Sequence, residues 1–292
     1  MRTRKRIQVF DVVNITLFVL VSFTFLYPIV MTFALSFSDA FQLANKPVGL
    51  WPVGFSLDSY KMLLADGRIM RYYLNTIMYA TVGTAIMLAS TSLMAYPLTF
   101  PAFRGRTFVT IILTITMFFG GGLVPFYLVV LKLGLIDTLW ALVLPPAISA
   151  WYVFIFRTFF MSIPDSLRES AHMDGAGHFL VLGRIIIPLS KPLLATFTLF
   201  SVVYFWNDFF SALIFLRTQD KQPVQLFLRR ILILMTITDV MEDQEVLQSL
   251  VNVSSRTVKG AAVMITIVPI LCVYPFLQKY FAKGIMIGAI KA

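Results

Sequence analysis

The sequence predicts an all-α, polytopic membrane protein with six transmembrane helices and a long cytoplasmic segment between the fourth and fifth. Three observations carry this. Hydrophobic residues make up 59% of the 292 and charged residues only 13%, whereas soluble domains hold about 25% charged residues, so too little polar surface remains to wrap a soluble core. Mean hydropathy is +0.84. Six apolar stretches run near 12–35, 73–98, 107–131, 139–161, 193–216 and 260–281, and each can cross a hydrocarbon core about 30 Å thick, which takes ~20 helical residues. The whole chain, 1–292, is read as one transmembrane domain.

Span one follows Arg2, Arg4, Lys5 and Arg6. Its apolar run is longer than the roughly 7–15 residues of a signal-peptide core, so it is read as a retained helix. Basic residues stay cytoplasmic, which puts the N-terminus inside, and an even number of spans returns the C-terminus there. Lys279, Lys283 and Lys291 agree. The outer segment 36–72 is rich in Pro, Gly and aromatics, with Trp51 expected at the headgroup level. Spans three and four are joined by a short turn, 132–138, whereas the outer segment 217–259 is long and carries Arg229, Arg230 and the acids Asp239, Glu242, Asp243 and Glu245. Segments of that length are uncommon unless they pack or bind something. On this topology the cytoplasmic side holds 13 Lys and Arg against four acids, the outer side 11 against nine, with Asp208 inside span five. The net charge of +10 therefore records orientation and gives no support to nucleic-acid binding.

Several chemistries are missing. The one cysteine, Cys272, allows no disulfide within the chain, Cys-based zinc site or redox pair. No lysine stands in a Walker A loop, so no nucleotide phosphate is cradled in the usual way. His172 and His178 are six residues apart, a spacing that does not put both on one face of a helix for a metal. No nucleophile elbow or intramembrane carboxylate pair argues for an enzyme.

The informative stretch is the cytoplasmic segment 162–192. Pro164 stands near a first helical position, Asp165 and Glu169 fall near the positive end of the helix dipole, and Gly175 supplies a left-handed stop. A second helical run, 179–187, is expected to end at Pro188. Leu167, Ala171, Met173 and Phe179 are then available to enter a partner's groove; an amphipathic connector lying on the membrane surface would show the same pattern.

Glu169-Ser170-Ala171, Asp174-Gly175-Ala176 and Ile185-Ile186-Ile187-Pro188 resemble the EAA signature of ABC importer permeases: Glu-Ala-Ala, three residues, Gly, then Ile-x-Leu-Pro at this spacing. Ser170 and Ile187 depart from it by small or volume-conserving changes. The likeness extends through Gly120-Gly121-Gly122-Leu123-Val124-Pro125, Gly134-Leu135-Ile136-Asp137-Thr138, Trp206-Asn207-Asp208 and the ending Phe281 to Ala289. These are similar to carbohydrate-uptake permeases of the maltose type, in the branch that imports alginate and other complex or acidic oligosaccharides.

The resemblance implies half of a heterodimeric pore in a bacterial inner membrane. A second homologous permease, two ATPase subunits, a solute-binding protein outside and an oligosaccharide substrate are the implied partners. ATP and Mg2+ would sit on the ATPase subunits, and no cofactor on this chain. Glu169, Ser170, Ala171, Met173, Asp174, Gly175, Ala176 and Phe179 would form the ATPase-coupling site. Glu169 is either its charged anchor or only a carboxylate at a helix dipole. From its length and mixed charge, part of the outer segment 217–259 is expected to reach into the docked binding protein. The tail residues Lys283, Gly284, Gly288 and Lys291 would lie between the ATPase subunits, or be held by anionic lipid.

Asp208 inside a span costs roughly 2.5–3.5 kcal/mol unless paired or wetted. With Trp206 and Asn207 it lines a sugar path or makes a structural polar contact, and Trp151 and Tyr152 face the same alternative, while Arg157 is expected to snorkel to the interface. A secondary transporter with its own ion-coupled site is the alternative reading, which a single intramembrane acid and no evident repeat disfavour.

Overall fold

The computed structural model describes residues 9–43, 46–65, 67–241 and 255–272, and the side chains of these except 236–241. Helices dominate, and among the described residues the β-structure is a single bridge, Ser38 with Phe55. Among the described residues three helices are long and apolar enough to cross a membrane: Val9–Ser36, Ile69–Thr99 and Ser255–Cys272. Two further pairs pass that test together but are bent, Trp140–Ala147 with Ala150–Met161 by 50° and His178–Leu189 with Lys191–Asn207 by 82°. The remainder of the expected sixth span, beyond Cys272, lies outside the described residues.

Spans three, four and five, expected as continuous helices, are each interrupted, for local reasons. In span three the helices Arg106–Phe118 and Leu123–Lys132 are separated where Phe119 becomes extended and Gly122 takes φ +80°. Three consecutive glycines there favour unwinding, each by about 1 kcal/mol relative to alanine. Pro125 follows in the first turn of the second helix, where its missing N–H is no loss. In span four the break falls at Pro145–Ala147 and the extended Ile148. In span five Asp208 is extended, and its Oδ1 accepts the N–H of Ser211 at 3.0 Å, capping the short helix Phe210–Phe215.

Pro188 does not end the helix before it, as the sequence suggested; the 82° bend falls at Ser190. The reason is a π-helical turn, Leu182–Ile186, in which the Ile187 N–H bonds the Leu182 carbonyl. Widening the turn moves the carbonyl that a proline ring would otherwise strike in an α-helix.

The chain divides into two compact units, Met1–Ile69 with Leu228–Val268, and Met70–Phe227 with the stretch from Pro269. In the first, the Tyr60 hydroxyl donates to Ser36 Oγ at 2.8 Å and Ser59 Oγ donates to Thr257 Oγ1 at 2.9 Å. Gly260 permits close backbone contact, since a Cβ there would lie 3.3 Å from the Ser36 nitrogen. Val9–Ser36 itself presents apolar side chains on nearly every side, as a helix facing lipid or a partner does.

In the second unit, span two buries a stripe of mostly small residues, Thr76, Ala80, Thr84, Met87, Thr91 and Ala95, at helical spacing. Small residues let helices approach where lipid removes the hydrophobic drive between them. Phe205 packs against Gly83 on that helix so closely that a Cβ would fall 2.5 Å from its ring. One core joins Phe156, Phe160, Phe197, Ala171, Val181 and Ile186; another joins Tyr79, Val130, Leu142, Phe215 and Leu226.

Candidate functional site

The segment after span four folds into a helix, Asp165–Met173, that starts after Pro164. It ends in a Schellman motif. Gly175, at φ +82°, donates its N–H to the His172 carbonyl at 3.0 Å, and Ala176 donates to the Ala171 carbonyl at 2.9 Å. Gly177 is extended and the chain re-enters a helix at His178.

The two faces of this helix differ. Glu169, Ser170, Asp174 and Gly175 are exposed, Met173 is 88% exposed and Phe179 82%. Ala171 is only 9% exposed and belongs to the core with Phe156 and Phe160. It is therefore not free to enter a partner's groove, a correction to the sequence reading that placed it beside Leu167 and Met173; Ala176 is half-buried against the same core. The residue that sequence reasoning passed over is Arg168. It is 5% exposed; its guanidinium donates to the Phe160 carbonyl, lies 3.4 Å from Thr99 Oγ1 and 3.3 Å from Asp165 Oδ1, and sits 5.7 Å over the Phe100 ring. Its one sequence signal is spacing: residue 168 shares a helix face with 171, the position whose alanine the signature requires.

His172 and His178 do meet, edge to face with ring centroids 4.9 Å apart, because Gly175 reverses the chain between them. The same-helix argument against their meeting does not apply. His172 Nδ1 lies 2.8 Å from the Ala176 carbonyl, and among the described residues no group of three or more His, Cys, Asp or Glu could hold a metal. Beside them an apolar cavity of about 430 Å³ is lined by Tyr96, Phe100, Phe103, His178, Phe179 and Leu182. Arg157 directs its Nε to the Leu98 carbonyl at 3.0 Å, in the turn that closes span two.

The path residues fall into two groups. Tyr152 is buried edge-on to Phe197 at 4.5 Å, with the exposed Trp151 5.8 Å from the same ring. Trp206 is buried 6.5 Å from the Tyr73 ring, and Asn207 is exposed, its Oδ1 accepting from Gln225 Nε2 at 3.2 Å. Asp208 has its carboxylate engaged at the helix break, which favours the structural alternative for it. Lys283, Gly284, Gly288 and Lys291 lie outside the described residues.

In the turn between spans three and four, Asp137 adopts φ +59° and gathers the loop after span five. Its carboxylate accepts the N–H groups of Arg217 and Thr218, the Thr218 hydroxyl at 2.6 Å and the Lys221 ammonium at 2.8 Å. The Lys221 and Thr218 hydrogen bonds hold its carboxyl well below the usual carboxylate range.

Residues 92–287 match the family described as "Binding-protein-dependent transport system inner membrane component". The chain belongs to this family. It is similar to Protein LplC of Bacillus subtilis (strain 168), 41% identical over 291 residues, covering 100% of this chain and 98% of that protein. The polygalacturonan/rhamnogalacturonan transport system permease protein YtcP of the same organism is 37% identical over 264 residues, covering 90% and 92%. A chain from the crystal structure of a bacterial ABC transporter involved in the import of the acidic polysaccharide alginate superposes with a TM-score of 0.83 at 34% identity, covering 96% of this chain and 99% of that one. The resemblance drawn from the sequence thus holds at the level of family and fold. The chain is a multi-pass inner-membrane permease of an ABC sugar importer.

Proposed function

We propose that this permease is one half of the pore of an ATP-driven, binding-protein-dependent importer of acidic oligosaccharides, uronate oligomers in particular. The observation that carries the substrate class is that the similar YtcP and the similar alginate transporter are both named for acidic polysaccharides. A second, homologous permease completes the pore with six spans on each side, and a solute-binding protein delivers the sugar outside. Two ATPase subunits bind ATP and Mg2+ on the cytoplasmic side, where both termini of this chain lie. The exposed face of Asp165–Met173, with Glu169, Met173 and the following Phe179, enters a cleft of one ATPase subunit, and Gly284 to Ala292 lies between the two. ATPase closure then draws the helix and tilts the spans between inward-open and outward-open states.

Reconstitution of the complete complex with its binding protein tests this. Oligogalacturonate or oligoalginate of three or four residues should be taken up with ATP and should stimulate hydrolysis, and neutral malto-oligosaccharides of the same length should not. Uptake of the neutral sugar alone would overturn the substrate class. Charge reversal at Glu169 should lower uptake and binding-protein-stimulated hydrolysis together; unchanged values of both would remove the docking role.

A further inference from the structure

A permease of this kind has to convert a pull on a surface helix into tilt of helices inside the membrane. The outer face of Asp165–Met173 is free to receive the pull. Its inner face has to pass the pull on, and Ala171 offers only a small apolar contact. Arg168 offers far more. Its acceptors come from three different elements: the Phe160 carbonyl in the last turn of span four, Thr99 in the turn that closes span two, and Asp165 on its own helix, with Phe100 beneath the guanidinium. Among the described residues no other side chain of this helix forms a hydrogen bond outside the segment 162–192.

Burial sharpens the point. A guanidinium held at 5% exposure is costly unless well partnered, and Asp165, whose own side chain is 79% exposed, does not require it to be inside. The Phe160 carbonyl is one of the four at a helix end that lack the usual partner four residues on; the Ile163 N–H reaches it only at 3.4 Å, and Arg168 adds a second donor to it. Arg157 grips the neighbouring Leu98 carbonyl at 3.0 Å. The turn at Leu98 and Thr99 is thus held from span four on one side and from the surface helix on the other.

We propose that Arg168 is the positioning residue that makes the coupling helix and the cytoplasmic ends of spans two and four move as one body. The inference rests on the importer reading above and names the joint within it. A planar fork with five donors reaches several acceptors and a ring face at once; a lysine ammonium is a point charge that reaches fewer of them. Loss of the joint leaves the outer face intact, so the ATPase still engages while its motion no longer reaches the pore.

The test is the ratio of ATP hydrolysed to trigalacturonate imported by the reconstituted complex with its binding protein. Arg168→Gln should raise the ratio about tenfold, with stimulated hydrolysis retained, and Arg168→Lys should fall between it and the parent. Thr99→Val should raise the ratio in the same direction, and the double variant should raise it over the parent by less than the product of the two single effects. Proportional loss of uptake and hydrolysis in Arg168→Gln and Thr99→Val would make Arg168 a fold stabiliser only and overturn the proposal. Failure of the parent complex to import trigalacturonate would instead count against the substrate class, and the ratio would then be read with oligoalginate.

Discussion

The carboxylate of Asp137 lies 2.8 Å from the ammonium of Lys221, which also donates to the Asp137 carbonyl at 2.7 Å. A residue between spans three and four thereby holds the chain leaving span five. The depressed carboxyl means that this contribution is fully present above the unfolded-state value near 3.9 and is lost as pH falls through the lower folded value. Asp137→Asn keeps a residue that tolerates positive φ but removes the charge, and should destabilise by about 1–3 kcal/mol at pH 7. Thermal unfolding of the assembled complex at fixed scan rate checks this. The parent's midpoint should fall toward that of the variant only below about pH 4, and equal midpoints at pH 7 would contradict the role.

Gly175 is needed for its backbone and not for space. At φ +82° no atom lies within 4 Å of the position a Cβ would occupy, so Gly175→Ala meets no clash and costs about 1–2 kcal/mol for the left-handed conformation. Gly175→Asn should cost less, because asparagine visits that region more readily. Uptake should rank Gly, Asn, Ala, Val. If alanine matched glycine, the Schellman turn would not be the feature that matters here.

Legibility in the sequence follows the range of the interactions. The helix Asp165–Met173 was readable because its start at Pro164 and its stop at Gly175 are set by the residues themselves. The breaks in spans three and five were less so. A span is recognised by mean apolarity, which Gly120 to Gly122 and Asp208 hardly lower, while helix continuity is decided by those few residues. Arg168 was illegible because its partners Thr99 and Phe100 lie far away in sequence and come near only when spans two and four pack. Ala171 was misplaced for the same reason: its spacing from Leu167 places it on a helix stripe, but only the core around Phe156 decides which stripe turns inward.

The exposed face can be mapped chemically. In a Cys272→Ser background, cysteine at Met173 or Phe179 should react with maleimide when the ATPase subunits are stripped from the complex and be protected when they are restored. Cysteine at Ala171 should stay unreactive in both states, given its burial. Equal labelling of Met173→Cys with and without the ATPase subunits would place the contact elsewhere on the chain.

Gly83 offers the sharpest steric test. A Cβ there would fall 2.5 Å from the Phe205 ring, and Phe205 is 3% exposed, so the ring has little room to retreat. Gly83→Ala should therefore destabilise by about 1–3 kcal/mol through overpacking between spans two and five. Shortening the opposing ring relieves that clash at the cost of a smaller core side chain. Gly83→Ala combined with Phe205→Leu should consequently be more stable than the sum of the two single changes, a coupling of about 1–2 kcal/mol that a thermal-unfolding cycle on the assembled complex resolves. Strict additivity would mean that the two helices separate there and that the close approach contributes nothing to stability.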